Sequence, residues 1–142
     1  MKITCGLFII SNNKLLIVHP TGHKNNSWSI PKGIFDETID KNHFDAAIRE
    51  TFEETNLKID ILKGKIKDLG IEKYEKRNKS LHGYLYISFD DITNELLKCN
   101  SFCELYKKQV PEVDNFKWIN IDSEYIKFLH DTQKKLFKKI NL

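Results

Sequence analysis

The sequence predicts an α/β (α+β) domain, on three observations. Short apolar, β-branched runs at residues 3–10 and 14–19 read as strands. A helical apolar pattern runs from about Asn42 to Thr55. A strictly alternating run from Ser80 to Phe89 reads as a further strand beyond that helix. The 142 residues fit one domain, residues 1–142, long enough to bury a core without staples.

Each element follows from its residues. Ser11-Asn12-Asn13-Lys14 is turn chemistry, so the first two runs form a hairpin. A polar loop follows from Pro20 to Ser27, and Pro31 and Gly33 end any regular element in Trp28-Ser29-Ile30-Pro31-Lys32-Gly33. Asn42 or Asp40 can cap the helix, and Asn56 can end it in a left-handed conformation. Leu57 to Leu62 alternates and predicts a strand, residues 65–74 a weaker one, and Lys73 to Lys79 a charged loop. In the run after it, Leu81, Gly83, Leu85, Ile87 and Phe89 share one face, and His82, Tyr84, Tyr86 and Ser88 the other. Asp91 to Cys99 predicts a short helix and Phe116 to Ile121 a last strand. Ile126, Leu129, Gln133, Leu136, Phe137 and Ile140 fall at helical spacing among Lys127, Lys134, Lys135, Lys138 and Lys139, an amphipathic surface helix.

Composition narrows the function. A net charge of +3 spread along the chain does not by itself indicate a nucleic-acid binder, and stable DNA binding is not expected. Cys5, Cys99 and Cys103 are odd in number and sparse, which argues against a disulfide framework and for a reducing compartment. No stretch is long enough to span a bilayer, and Ser11-Asn12-Asn13-Lys14 interrupts the apolar N-terminus before a signal core forms. The expected location is cytoplasmic.

The chemistry concentrates in Arg49-Glu50-Thr51-Phe52-Glu53-Glu54-Thr55-Asn56-Leu57. On a helix, with Glu50 at zero, Glu53 falls near about 300° and Glu54 near about 40°, one shared face. Phe44, Ile48 and Phe52 fall near about 120–200°, so an apolar stripe is expected to be buried opposite the acids. Three carboxylates so placed repel one another, and Arg49 and Lys58 neutralise them only in part. A divalent cation would complete the neutralisation, and magnesium suits hard oxygen donors. An exposed acidic face with no ligand accounts equally well for the spacing alone.

These residues resemble the Nudix box, G-x5-E-x7-R-E-U-x-E-E-x-G-U with U apolar. Arg49, Glu50, Glu53, Glu54 and Leu57 are in register with its second half. Trp28 to Gly33 resembles the approach to the box, including that of dinucleoside-polyphosphate hydrolases. Pro111-Glu112-Val113-Asp114-Asn115-Phe116-Lys117-Trp118-Ile119 resembles the segment before the last strand in members such as bacterial RNA 5′-pyrophosphohydrolases. The chain departs from the box in places. Ungapped counting puts the box glycine at Phe35 and its first glutamate at Lys41, whereas Gly33 fits with a loop two residues longer. Glu37 and Asp40 are then the candidates for the first glutamate, Thr51 stands at an apolar position, and Asn56 replaces a glycine.

The resemblance implies an α/β/α sandwich around a mixed sheet, and Mg2+ or Mn2+ as cofactor. It implies Glu53 and Glu54 as main metal ligands and Glu50 as a further ligand or the base. The Gly33 carbonyl would be in the metal shell, Arg49 would orient the glutamates, and Glu112 would be a ligand or the base across the cleft. Lys32 is placed to meet substrate phosphate, and Tyr84 and Tyr86 to stack a base, although core packing is the simpler reading of the tyrosines. His19, His23 and Lys24 flank the loop before Trp28 and are candidates to line a phosphate path, although an exposed loop is the simpler reading of His23 and Lys24. Lys73, Lys76, Arg77 and Lys79 form a basic segment able to attract a polyphosphate or an RNA 5′ end, or else a solvated loop. The implied activity is hydrolysis of a phosphoanhydride in a nucleoside diphosphate linked to another group, a dinucleoside polyphosphate first and an RNA 5′ end next. Two alternatives remain open: a Nudix-fold nucleotide-binding or regulatory module without catalysis, and a small RNA-binding domain using the lysine-rich helix.

Overall fold

The computed structural model describes residues 2–122 and 124–140. The side chain of Ile126, part of the expected C-terminal stripe, lies outside the described residues. The first hairpin joins β1 (Lys2–Ser11) to β2 (Lys14–Pro20). Its turn uses Asn12 and Asn13, at φ of 51° and 60°. Asparagine tolerates this left-handed region better than other residues with a Cβ. The remaining strands are β3 (Lys32–Ile34), β4 (Gly64–Lys73), β5 (Lys79–Ser88), β6 (Phe102–Leu105), β7 (Lys108–Pro111) and β8 (Val113–Asn120). The helices are α1 (His43–Thr55), α2 (Tyr125–Phe128) and α3 (Asp131–Phe137).

The main sheet runs β4-β5-β1-β2-β8 and is mixed. β1 and β5 are parallel over nine residue pairs, and the other pairings are antiparallel. β1 divides its free edge. Ile10 and Ser11 pair with β2, whereas Thr4, Cys5 and Gly6 pair with β3. That division carries β3, with Lys32 and Gly33, to the N-terminal end of β1 beneath α1.

Both faces of the sheet are covered, so its central strands are apolar on both sides. On one face Phe8, Ile17, Leu81 and Leu85 pack with Leu129, Leu136 and Phe137 from the C-terminal segment. On the other, Leu7, Ile9, Leu16, Tyr84 and Tyr86 pack with Ala46 and Ala47 of α1. This is the expected α/β/α arrangement around a mixed sheet.

Four expectations are corrected. Residues 57–62 form no strand, because their alternation finds no partner; the segment ends in a short 3-10 turn, Ile61–Lys63. Asn94–Leu96 is likewise a 3-10 turn rather than a helix across Asp91 to Cys99. The C-terminal helix is broken between Phe128 and Asp131, with Leu129 in extended backbone and buried. The face that α1 buries is also different. Ala46, Ala47, Thr51 and Thr55 are buried, while Phe44, Ile48 and Phe52 are only partly so. Small side chains let the helix settle close to the sheet, and that face adjoins Glu50 and Glu54 rather than opposing them.

Candidate active site

The helix begins and ends as its sequence requires. The Asn42 side chain accepts a hydrogen bond from the Asp45 N–H, which caps the first turn. Asn56, at φ 70°, closes the last turn through its N–H to the Phe52 carbonyl. Its side chain then bridges to the 96–100 segment, donating to Leu96 O and accepting from Asn100 Nδ2.

Because α1 sits down on its small residues, its acids are pressed toward β3. Gly33 lies directly under Glu50, and a methyl group there would overlap the Glu50 carboxyl. Glu54 Oε1 accepts the Lys32 backbone N–H at 3.1 Å. Burial raises the Glu50 carboxyl above its ordinary range, the Glu53 charge adds to this, and Arg49 opposes it. Burial pushes Glu54 up to about 8, against the pull of Lys32, and the charges of Glu50 and Glu112 add to the rise. Both carboxyls are therefore desolvated and short of positive charge.

Arg49 organises the group. Its Nε and Nη2 donate to the two Asp40 oxygens at 2.8 and 2.9 Å, and Nη1 donates to Glu50 at 2.9 Å and to Glu53 at 3.0 Å. Asp40 is buried, and its hydrogen bond from Arg49 holds its carboxyl below the usual range. Glu37 lines the same cleft but is exposed and makes no ion pair with Arg49. Of the two candidates for the first acid, Asp40 is thus the arginine's partner.

One cleft of about 790 Å³ gathers Lys32, Gly33, Arg49, Glu50, Glu53, Glu54 and Glu112. Glu112 also lines the cleft, its backbone fixed by the Ser101 carbonyl and the Thr21 N–H. Phe35, which the sequence reading did not select as a site residue, also lines this cleft; the signals for it are its place two residues after Gly33 and at the ungapped position of the box glycine.

Tyr84 and Tyr86 are not brought there. Both are buried in the core under α1, Tyr84 stacked on His82 and against Phe44, Tyr86 donating its hydroxyl to Asp60 O. The alternation that placed them on one strand face also placed that face against the helix. His19 is buried too, held between Asp114 and the Lys24 carbonyl, whereas His23 and Lys24 line a surface cleft. Cys99 packs as a small buried side chain beside Val113, and all three cysteines are free.

Among the described residues no three acidic, histidine or cysteine side chains converge tightly enough to hold an ion as they stand. Glu50 and Glu53 are instead turned onto Arg49. The donor set nevertheless fits a hard divalent cation: carboxylate oxygens crowded on one face, two of them held above their ordinary range by burial and mutual charge. Among the described residues no helix is long and apolar enough to cross a membrane.

Comparison with known proteins gives a consistent result. No curated protein matches the chain significantly. Solved structures do. The NUDIX domain of Shewanella oneidensis NrtR complexed with ADP ribose aligns at TM-score 0.68 and 18% identity, over 96% of this chain and 84% of that one. A C. elegans Ap4A hydrolase binary complex aligns at 0.62 and 20%, over 98% and 94%. A bifunctional NMN adenylyltransferase/ADP ribose pyrophosphatase from Francisella tularensis, complexed with AMP and Mn ion, aligns at 0.65 and 21%, over 95% of this chain and 39% of that longer one. At these identities the likeness concerns the fold. The family model for the NUDIX domain matches residues 2–140, and the chain belongs to that family, as a Nudix hydrolase acting on phosphoanhydride bonds.

Proposed function

We propose that the chain hydrolyses a phosphoanhydride bond in a nucleoside diphosphate linked to a second group, with Mg2+, or Mn2+ in its place. The observation that carries this reading is the convergence of Glu50, Glu53, Glu54, Glu112 and Gly33 on one cleft, with the acids undercompensated. Glu53 and Glu54 would hold the ion, with Glu50 and the Gly33 carbonyl beside them. The ion would offset phosphate charge and make a water more acidic when bound. Glu50 or Glu112 takes the proton from the attacking water, since each is a carboxylate facing that space. Lys32 meets the charge of the leaving phosphate. Arg49, tied to Asp40, keeps Glu50 and Glu53 oriented. Phe35 is the aromatic available to a base at the cleft wall.

The solved relatives that hold ADP ribose, or AMP with Mn ion, support a nucleotide in such a cleft. The Ap4A hydrolase supports the reading of a dinucleoside polyphosphate as substrate, ahead of an RNA 5′ end. The test is product release in magnesium buffer from diadenosine tetraphosphate, nucleoside triphosphates, ADP-ribose and 5′-triphosphorylated RNA. Turnover of one of these, lost in Glu53→Gln and in Glu54→Gln, is the expected result. Tight nucleotide binding with no turnover of any would instead make the chain a binding module.

A further inference from the structure

A second cleft, of about 600 Å³, shares Lys32 with the carboxylate cleft. Its walls are the 74–79 turn between β4 and β5, the loop after β2, and the residues that open α3. They bring Lys32, Lys76, Arg77, Lys79, His23 and His130 together, against only Glu75 and Asp131. Asp131 is already engaged by Lys134 at 3.7 Å. Among the described residues none of Lys32, Lys76, Arg77 and Lys79 is ion-paired. A small cavity of about 260 Å³, lined by Lys32, Glu54 and Glu112 among others, adjoins the same lysine. Lys32 therefore lines the acidic cleft, this small cavity and the basic cleft.

The basic cleft is short of negative charge. Burial, then the neighbouring charges of Lys32, Arg77 and Lys2, hold the Lys79 ammonium below its ordinary range. Burial and Lys32 do the same to His130. The one phenol ring lining the cleft, that of Tyr74, is already covered by Lys79, whose Nζ lies 5.2 Å from the ring centroid. The cleft thus offers charge rather than a stacking platform, and its size suits a small ligand.

We propose that this basic cleft binds the phosphates beyond the scissile bond, so that the preferred substrate carries three or more phosphates in a chain. This rests on the hydrolase reading for the position of the scissile bond. A diphosphate would be answered by the ion and Lys32 alone. The further cations have work only if more phosphates follow.

The test separates the two ideas by measuring binding without turnover. Calorimetry in magnesium-free buffer compares inorganic tripolyphosphate with pyrophosphate on the wild type, on Arg77→Gln/Lys79→Gln, and on Lys76→Gln/Arg77→Gln, whose changes lie on the exposed turn. The wild type should prefer tripolyphosphate by about tenfold or more, as one or two charge-assisted contacts would give, and both variants should lose that preference. With magnesium, kcat/KM for diadenosine tetraphosphate should fall about tenfold in the variants while that for ADP-ribose holds. Equal affinity for the two anions in the wild type, or an undiminished preference in folded variants, overturns the phosphate cleft. A preference that is present and lost as expected, in a protein that turns over none of the four substrates above, leaves a polyphosphate-binding cleft, removes the hydrolase reading and overturns its placement beyond a scissile bond.

Discussion

The two clefts that share Lys32 carry opposite charge and manage it differently. In the acidic cleft Arg49 lies inside the cluster and bonds to three carboxylates. In the basic cleft the cations face one another, with no carboxylate paired to Lys76, Arg77 or Lys79 among the described residues. An internal counter-charge fixes side-chain orientation, which suits groups that must meet a reacting atom at a set angle. Charges left open suit a site that only has to collect anions, where a flexible chain can supply the pairing.

Breaking the acidic cleft should have the largest effect. Glu53→Gln or Glu54→Gln should lower turnover by at least about 100-fold, the upper end of what losing even an outer partner of a metal site costs. The roughly tenfold, chain-length-dependent loss expected in the basic cleft is smaller because no bond breaks there. Equal losses in the two clefts would erase the distinction.

Next comes Gly33→Ala. Its methyl must displace the Glu50 carboxyl or lift α1 from β3, a cost of about 1–3 kcal/mol for overpacking, readable in denaturant melts together with reduced turnover. An unchanged melt would mean that Glu50 is not held against β3.

The pH dependence sharpens the contrast within the acidic cleft itself. Glu54 is raised from 4.5 to about 8, so across that window the folded, metal-free chain holds a proton that the unfolded chain has released. The sign follows: this contribution to stability is complete below the ordinary carboxylate range and is lost as pH rises toward 8. Asp40 is held low by Arg49, so its contribution is complete above the ordinary range and is lost on acidification. Melting temperatures of the metal-free chain, followed from about pH 2 upward, should therefore pass through a maximum near the ordinary carboxylate range. Glu54→Gln should flatten only the alkaline limb.

Tyr86→Phe should have the least consequence. It removes the hydroxyl's hydrogen bonds, to Asp60 O and with Ser88, each worth about 0.5–1.5 kcal/mol, and leaves turnover unchanged. A large loss of activity in a folded variant would return Tyr86 to the substrate.

How much of this was legible depended on range. The α1 caps and the shared face of Glu50, Glu53 and Glu54 depend on residues three or four apart, and both were readable. The first hairpin was readable from its Asn12-Asn13 turn for the same reason. The buried face of α1 was misread because hydropathy ranks Phe44, Ile48 and Phe52 above Ala46, Ala47, Thr51 and Thr55, whereas close approach to a sheet selects by size. β3 spans three residues, too few to show a period, yet it carries Gly33. The β6–β7 hairpin was missed because its turn uses Tyr106 and Lys107 at φ 51° and 65°, where turn chemistry favours glycine or asparagine. Asp40 could not be chosen over Glu37 because the choice depends on which carboxylate the loop folds back onto Arg49.

Arg49 has a consequence beyond orientation. Glu50 and Glu53 share one positive charge, so the ion proposed above would meet carboxylates that are already partly neutralised. The guanidinium is tethered and always charged, and it acts as a place-keeper that spares the empty helix its own repulsion. The ion proposed for this cleft would therefore compete with Arg49 for Glu50 and Glu53.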